Sequence, residues 1–416
     1  MTDELERKDP SLLIISADSP ESYSPSGERI RHLAVQSGLI FRGVAILSLK
    51  ATKRREAARR NGSTVVLYEI NFSRAMPFPF SAFFDPIMML MFLVHGFILY
   101  RRIKPSYVLA SVPPLEAGLS AWIISRLHGN KSVIDVRDDW ESAIDVQLRK
   151  YFPKTLIGLL SALAKRTYDS ARVMFAVTQT ISKTIRKRGI TTPVFLVPNG
   201  ADTRVFKPTD VDVRIKKRSD WALPTDKTII VYCGSAMNPY YRLDLTLRAI
   251  RGLPQNIVQN LLFVFYVYNG FDWLENLKHK LAIPDGAIEV RSPLPRSQLA
   301  DVLSVCDVGL VPFDAEHYLL CARSTKLYEY LSSGLFVLCS GPKGGELDSF
   351  LSANPDLGLF TLPSVSDLVS AFRNVAERTE NMYNDFYRKK RHAFIKANYD
   401  RRGTMRRAVS LMEEGS

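Results

Sequence analysis

A lysine and a glutamate one helical turn apart carry the most chemistry in this chain. Lys326 and Glu329 lie in the run Arg323-Ser324-Thr325-Lys326-Leu327-Tyr328-Glu329-Tyr330-Leu331-Ser332-Ser333-Gly334, and the apolar Leu335-Phe336-Val337-Leu338-Cys339 follows. Leu327, Tyr330 and Leu331 form an i, i+3, i+4 stripe. Ser324 and Thr325 suit a helix N-cap, and Gly334 suits the residue after the last turn. The run predicts about two helical turns leading into a buried strand. A cation in a first turn opposes the helix dipole, so Lys326, with Arg323 beside it, is misplaced unless an anion sits among the free N–H groups. Glu329 lies on the same face. A carboxylate repels a phosphate, but it accepts both hydroxyls of a ribose, as the acidic residue of dinucleotide folds does. The pair reads as a nucleotide site; the alternative is a Lys–Glu surface pair on an ordinary helix.

The elements that must position this pair are set by size and pattern. The chain has 416 residues, 46% of them apolar, which predicts two domains of about 200 residues, each with its own core. A net charge of +14 favours a polyanionic or anionic-surface partner without choosing among nucleic acid, lipid headgroups and phosphorylated ligands. Basic residues are not interleaved with aromatics on one element, which argues against nucleic acid. Cys233, Cys306, Cys321 and Cys339 are scattered. They read as small buried hydrophobes in a reducing compartment, with no zinc-ligand spacing. The acidic, polar start is not a signal peptide.

In the first half, short apolar runs alternate with helical spacing. Leu12 to Ile15 is a parallel core strand. A Ser/Pro-rich loop through Ser26-Gly27 and a helix from Glu28 follow, and Gly27 would let a ligand approach the backbone. Val44 to Leu49 and Thr64 to Ile70 are further strands. Between them, Lys50, Lys53, Arg54, Arg55, Arg59 and Arg60 form either a solvated face or an anion-facing one. Residues 86–100 are the most apolar segment, with Arg101, Arg102 and Lys104 directly after. A buried core helix, a helix lying in a membrane interface and a true span compete here. His95 is an incidental residue of this helix. Tyr107 to Ala110 is a strand broken by Ser111-Val112-Pro113-Pro114. Ser132 to Val136 is another, ending in Arg137-Asp138-Asp139-Trp140-Glu141. Charges at that end are cleft candidates; either aspartate as a helix cap, or the pair as metal ligands, are the alternatives. Residues 150–166 form a second basic amphipathic stretch. The strand Val194 to Val197 ends in Pro198-Asn199-Gly200-Ala201-Asp202, a turn tolerant of positive φ. Polar residues 209–220, without apolar periodicity, read as a linker.

The second half repeats the alternation. Thr228 to Cys233 is a buried strand followed by Gly234-Ser235 and a helix that begins after Arg242. This is a phosphate-binding shape without the dinucleotide glycine spacing. Gly344 and Gly345 can offer backbone N–H groups to a ligand, with Glu346 opening a helix. The expected organisation is therefore two doubly wound α/β units, residues 1–208 and 221–395, joined by 209–220. A last helix at 396–416 packs back on the first unit, and the ligand site lies in a cleft between the two.

At this point the motifs resemble a known family. Val197-Pro198-Asn199-Gly200-Ala201-Asp202 with Phe206-Lys207-Pro208 resembles the PNG-D-FxP signature of family 4 glycosyltransferases of the GT-B fold. Ser324 to Tyr330 with Gly334 is similar to their PSKLFEYMAxG segment. Asp135-Val136-Arg137-Asp138-Asp139-Trp140 resembles the DxRDxW of the branch that builds surface polysaccharides and glycans on lipid carriers. Ser26-Gly27 with Arg29 resembles the first glycine loop, and Ser111 to Pro114 the SPP turn. The resemblance runs from about residue 11 to 400.

It implies two Rossmann-like domains facing across a cleft and a retaining transferase using a nucleotide sugar, with no metal required. The acceptor, a glycan or polyprenyl-linked sugar, would bind the first domain and the donor the second. Glu329 would hold the donor ribose, Lys326 would lie near the diphosphate or the ribose site, Gly234 and Ser235 would border the phosphates, and Gly345 and Glu346 the nucleotide end. Gly27, Arg137, Asp138 and Asn199 would face the acceptor. The sequence departs from the pattern in three places. The first glutamate of the family falls on Cys321, the usual turn arginine is Ser235, and the usual phosphate-binding lysine falls on Tyr241. Arg242, Arg323 and Lys326 are the replacement cations, with Asp138, Lys326 and Arg242 as the catalytic candidates. A histidine common in the family is absent near Ser111. The expected setting is the cytoplasmic face of an anionic membrane, reached through the basic and apolar segments. A nucleotide-sugar 2-epimerase and a non-catalytic transferase-like subunit are the rival readings.

Overall fold

The computed structural model describes residues 11–22, 24–49, 64–72, 84–149, 151–377 and 384–414. The basic run from Lys50 to Arg60 lies outside them, as does Lys150. The chain divides into two units, Met1–Pro198 with Arg402–Ser416, and Asn199–Arg401.

In the first unit, seven parallel strands pair in the order β3-β2-β1-β4-β5-β6-β7. They are β1 (Ser11–Ser16), β2 (Gly43–Leu49), β3 (Thr64–Ile70), β4 (Tyr107–Val112), β5 (Lys131–Val136), β6 (Val173–Ala176) and β7 (Val194–Leu196). The inner strands are buried along their length, which is why they read as continuous apolar runs and not as alternation. The order reverses between β1 and β4, the switch point where open parallel sheets bind ligands. On one face, Ile30, Leu33 and Ala34 of the Pro25–Ser37 helix share a core with Met405, Ala408, Val409 and Met412 of the Arg401–Glu414 helix.

The helices Pro86–Ile103, Leu115–His128 and Lys154–Asp169 pack side by side elsewhere in this unit. Gly96 sets the first contact: a Cβ there would stand 2.5 Å from Cδ1 of Ile124. Among the described residues, Pro86–Ile103 is the one helix long and apolar enough to cross a membrane. It is instead a crossover, because β1 and β4 on either side of it in sequence hydrogen-bond to each other. A span would pull apart neighbouring strands of one sheet. The helix buries Met88, Phe92, Gly96 and Leu99, while Ile87, Leu90, Val94 and Ile98 are between 46% and 59% exposed.

The second unit holds six parallel strands in the order β10-β9-β8-β11-β12-β13. These are β8 (Thr228–Gly234), β9 (Leu261–Val267), β10 (Ile288–Arg291), β11 (Val308–Pro312), β12 (Phe336–Ser340) and β13 (Gly358–Thr361). Its switch point lies between β8 and β11. The Thr325–Ser332 helix packs on β11 and β12. Gly309 admits it, since a Cβ there would meet the Tyr330 ring at 2.2 Å.

Two expectations about boundaries change. The first unit ends at Pro198, ten residues before 208, and residues from Asn199 belong to the second. Residues 209–220 are not a loose linker but contain the Val211–Asp220 helix. Its inward face is charged: Arg214 and Arg218 both bond Asp307, and Lys217 bonds Asp301. Val211, Val213 and Ile215 point outward. The apolar pattern misleads because here the polar side faces the protein.

Candidate functional site

The Thr325–Ser332 helix is held at both ends. At its start, Ser324 makes no side-chain cap, contrary to the expectation from sequence. Farther along, the Tyr330 hydroxyl accepts a hydrogen bond from the Cys233 N–H (2.9 Å) and so joins the helix to the end of β8. At its C-terminus the last carbonyls are taken by side chains of the Asp385–Asn398 helix. Arg388 donates to Ser333, Arg391 to Gly334 (3.0 Å), and His392 Nδ1 lies 2.7 Å from the Ser332 carbonyl. The two arginines there suit the dipole. The i, i+3, i+4 spacing of 388, 391 and 392 is the signal in the sequence.

Lys326 points into the turn after β8. Its Nζ is buried and has no hydrogen-bond partner among the described residues. It lies 4.1 Å from the Tyr232 ring centroid and 3.9 Å from that of Tyr241. Gly234 lies against it, at positive φ, and a Cβ there would be 2.8 Å from Nζ. Burial lowers the amine to about 7, with Cys233 and Glu329 opposing. Glu329 turns toward two arginines: Oε1 lies 3.0 Å from Arg296 and 3.6 Å from Arg401. Neither arginine stands out in the sequence. Arg296 also covers the Phe206 ring at 4.7 Å, and Ser332 Oγ donates to the Phe206 carbonyl (2.5 Å). The two most informative motifs, 197–208 and 323–334, therefore meet.

Other donor-side candidates are engaged elsewhere. Arg242 forks onto Asp244 (2.9 and 3.0 Å) and reaches Asp314 (3.2 Å). The hydrogen bond to Asp244 leads the causes that raise its basicity. It is not a spare cation for a leaving phosphate. Arg323 and Glu346 bond each other at 2.5 Å, with Arg323 over the Phe350 ring; both are committed to a largely buried pair. Ser235 Oγ is 2.8 Å from Asn269 Oδ1. The N–H groups of the glycine pair are also used, Gly344 by Asp348 (2.8 Å) and Gly345 by the Pro342 carbonyl (3.2 Å).

On the acceptor side, the space beside Gly27 is filled by its own loop. A Cβ would stand 2.2 Å from Ser22 Oγ and 2.3 Å from the Ser19 carbonyl, so the glycine serves loop closure and not ligand approach. Arg29 makes a buried bidentate pair with Asp135 (2.7 and 2.8 Å) and donates to the Val197 carbonyl (3.0 Å), tying the first helix to the ends of β5 and β7. Arg137 bonds the Pro113 carbonyl and Asp18. Asp138 is exposed at the end of β5, on the lining of a small pocket. Desolvation pushes its carboxyl up to about 6, Arg137 opposing and Asp139 and Asp18 adding. Asp139 is the helix cap, accepting from the Ser142 N–H, and it pairs with Arg188 at 2.7 Å. Its commitment there disfavours a metal-chelating pair. Glu141, which burial raises to about 7, lies 3.0 Å from the same Arg188. Asp138, Glu141 and Arg188 line one small pocket with Trp140 and Tyr168. Asn199 is the first residue of the second unit, whereas Gly27, Arg137 and Asp138 belong to the first.

Solved structures share this architecture. Sucrose-phosphate synthase from Thermosynechococcus elongatus superposes with a TM-score of 0.78 at 14% identity, over 98% of this chain and 99% of that one. The chain has the GT-B fold. HepE from Anabaena, solved with UDP and glucose, matches with a TM-score of 0.64 at 12% identity, over 97% and 100%. WaaG, a glycosyltransferase involved in lipopolysaccharide biosynthesis, matches at 0.66 and 12%, over 96% and 98%. No family model matches the chain, and no curated protein matches it in sequence. In this GT-B chain, the switch points of both sheets coincide with the motif-bearing segments, the Ser24 to Gly27 helix start after β1 and the Gly234 to Arg242 turn after β8.

Proposed function

We propose that the protein is a retaining glycosyltransferase that moves a sugar from a nucleotide sugar to a glycan or lipid-linked acceptor. The observation that carries this reading is the unpartnered Lys326 amine against the Gly234 turn, one helical turn from Glu329. It is supported by HepE, a structural neighbour solved with UDP-glucose. Lys326 would face the diphosphate and Glu329 the ribose. The bond from the anomeric carbon to the β-phosphate oxygen breaks, and its electron pair leaves on the diphosphate. The acceptor oxygen bonds the same carbon, and its proton passes to the leaving diphosphate. A fixed cation and backbone N–H groups stabilise that departing charge without a metal. Asp138 would orient the acceptor hydroxyl.

The test is turnover on a panel of nucleotide sugars, UDP-glucose first, with and without acceptor. Sugar release or transfer supports the proposal. Interconversion of the donor alone would make the protein an isomerase, and binding without either would make it a non-catalytic subunit. Glu329→Gln should weaken UDP binding about 10- to 100-fold, the loss of a hydrogen bond to a charged group, measured by calorimetry; an unchanged Kd removes Glu329 from the ribose role. Glutamine is the better substitution because it keeps an acceptor oxygen for Arg296 and Arg401, which alanine would not.

We further propose that the enzyme works as a peripheral protein on the cytoplasmic face of an anionic membrane, where a polyprenyl-linked acceptor resides. The exposed stripe Ile87, Leu90, Val94 and Ile98, followed by Arg101 and Arg102, supports this. Replacing Leu90 and Val94 with serine should lower the fraction floating with anionic liposomes at low salt several-fold. Equal flotation of variant and parent would remove the stripe from the docking surface.

A further inference from the structure

The rings around Lys326 go beyond what facing a diphosphate requires. An ammonium group carries three N–H donors and no acceptor. Around Lys326 Nζ stand the faces of Tyr232 and Tyr241, at 4.1 and 3.9 Å, with Gly234 against it and no hydrogen-bond partner among the described residues. Tyr241 occupies the position where the motif resemblance places a phosphate-binding lysine. In place of a second cation, a ring walls in the first.

The neighbouring groups do not supply a counter-charge at contact. From β8 come Tyr232 and the Cys233 thiol, whose ionisation burial opposes. From the following turn come Tyr241 and Arg242, the latter taken by Asp244 and Asp314. From its own helix come Tyr330, bound to the Cys233 N–H, and Glu329, which turns to Arg296 and Arg401. A ring face attracts a cation only modestly. Burying an ammonium without hydrogen bonds costs more than two such faces return.

We infer that Tyr232 and Tyr241 are positioning residues that hold the Lys326 amine without its proton until a nucleoside diphosphate arrives, so that donor binding takes up a proton. The inference rests on the nucleotide-sugar reading. The proton moves from buffer to the Nζ lone pair as the diphosphate settles on the Gly234 turn. A unit negative charge about 4 Å away, at the effective dielectric of a protein surface, is ample to reverse the balance. The direction of the burial effect on Lys326 agrees with this.

Calorimetry of UDP, GDP and ADP with the full-length protein tests it, in buffers of low and high ionisation enthalpy. Near pH 8.5 the binding heat should depend on the buffer, corresponding to uptake of about one proton per nucleotide, and near pH 6 the dependence should vanish. Tyr241→Phe keeps the ring and should keep the uptake. Tyr241→Ala admits water and should lose most of it at pH 8.5, while its circular dichroism reports whether the fold survives. If that variant fails to fold, the comparison of parent and Tyr241→Phe across pH still decides. Nucleotide binding with buffer-independent heat at both pH values overturns the inference and leaves the transferase reading standing. If none of the three nucleotides binds, the transferase reading falls and takes the inference with it.

Discussion

Lys326→Met should cost about two to three orders of magnitude in sugar transfer, the usual penalty for losing one fixed donor to a developing negative charge, and should stabilise the fold. The second effect follows from linkage. The native amine is lowered to about 7, whereas in the unfolded chain it titrates near the ordinary lysine value of about 10.4. Between those values the unfolded state holds a proton that the native state lacks, so native stability rises with pH through that window, by at most about 1.4 kcal/mol per pH unit. Below it, both states are charged and the buried cation imposes its full cost. Methionine removes the group at similar length. The variant should therefore exceed the parent in stability most at pH 7 and below, with the gap closing toward pH 10. Melting curves from pH 6 to 10 read this directly. Parallel curves would place the amine in water, and unaltered turnover would remove it from the chemistry.

Asp307→Ala should destabilise the second unit by about 3–5 kcal/mol, the range for stripping one partner from a buried ion pair. Asp307 accepts from Arg214 and Arg218 and from the Ile229 N–H at 2.8 Å. It thereby fastens the Val211–Asp220 helix to the start of β8, just where β11 begins. Arg218 retains the Val305 carbonyl at 3.0 Å and Arg214 the field of Asp385, but both guanidiniums lose the carboxylate they share. Asp307→Asn keeps an acceptor for Ile229 and should lose less. Urea denaturation distinguishes the two, and a change in either below about 1 kcal/mol would reduce Asp307 to a surface-like pair. Because β8 and β11 flank the switch point, the loss should reach nucleotide binding as well.

Much of this is written in the chain itself. Parallel strands buried on both faces appear as uninterrupted Val, Ile and Leu, so Leu12 to Ile15 and Thr228 to Cys233 declare themselves. The run around Lys326 and Glu329 is legible because a cation in a first helical turn is a local contradiction. What escapes is whatever depends on partners distant in sequence. Arg323 looks like a spare cation, but Glu346 claims it and no local spacing announces that carboxylate; Arg242 is held by nearby Asp244 and also by distant Asp314. Gly27 signals close approach correctly, yet the approaching atoms are Ser19 and Ser22 and not a ligand's. The Val211–Asp220 helix hides because its buried side is made of ion pairs, the reverse of the periodicity that marks an amphipathic helix.

The placement of the Arg401–Glu414 helix bears on how the molecule is made. Met405, Ala408, Val409 and Met412 complete a core whose other members come from strands and helices at the opposite end of the chain. During synthesis, the first unit waits for a helix that follows only after the second unit has been translated, while that second unit can close on its own. A premature stop before residue 401 would thus injure the amino-terminal half more than the carboxyl-terminal one, and a chaperone guarding the nascent chain would find its apolar surface there.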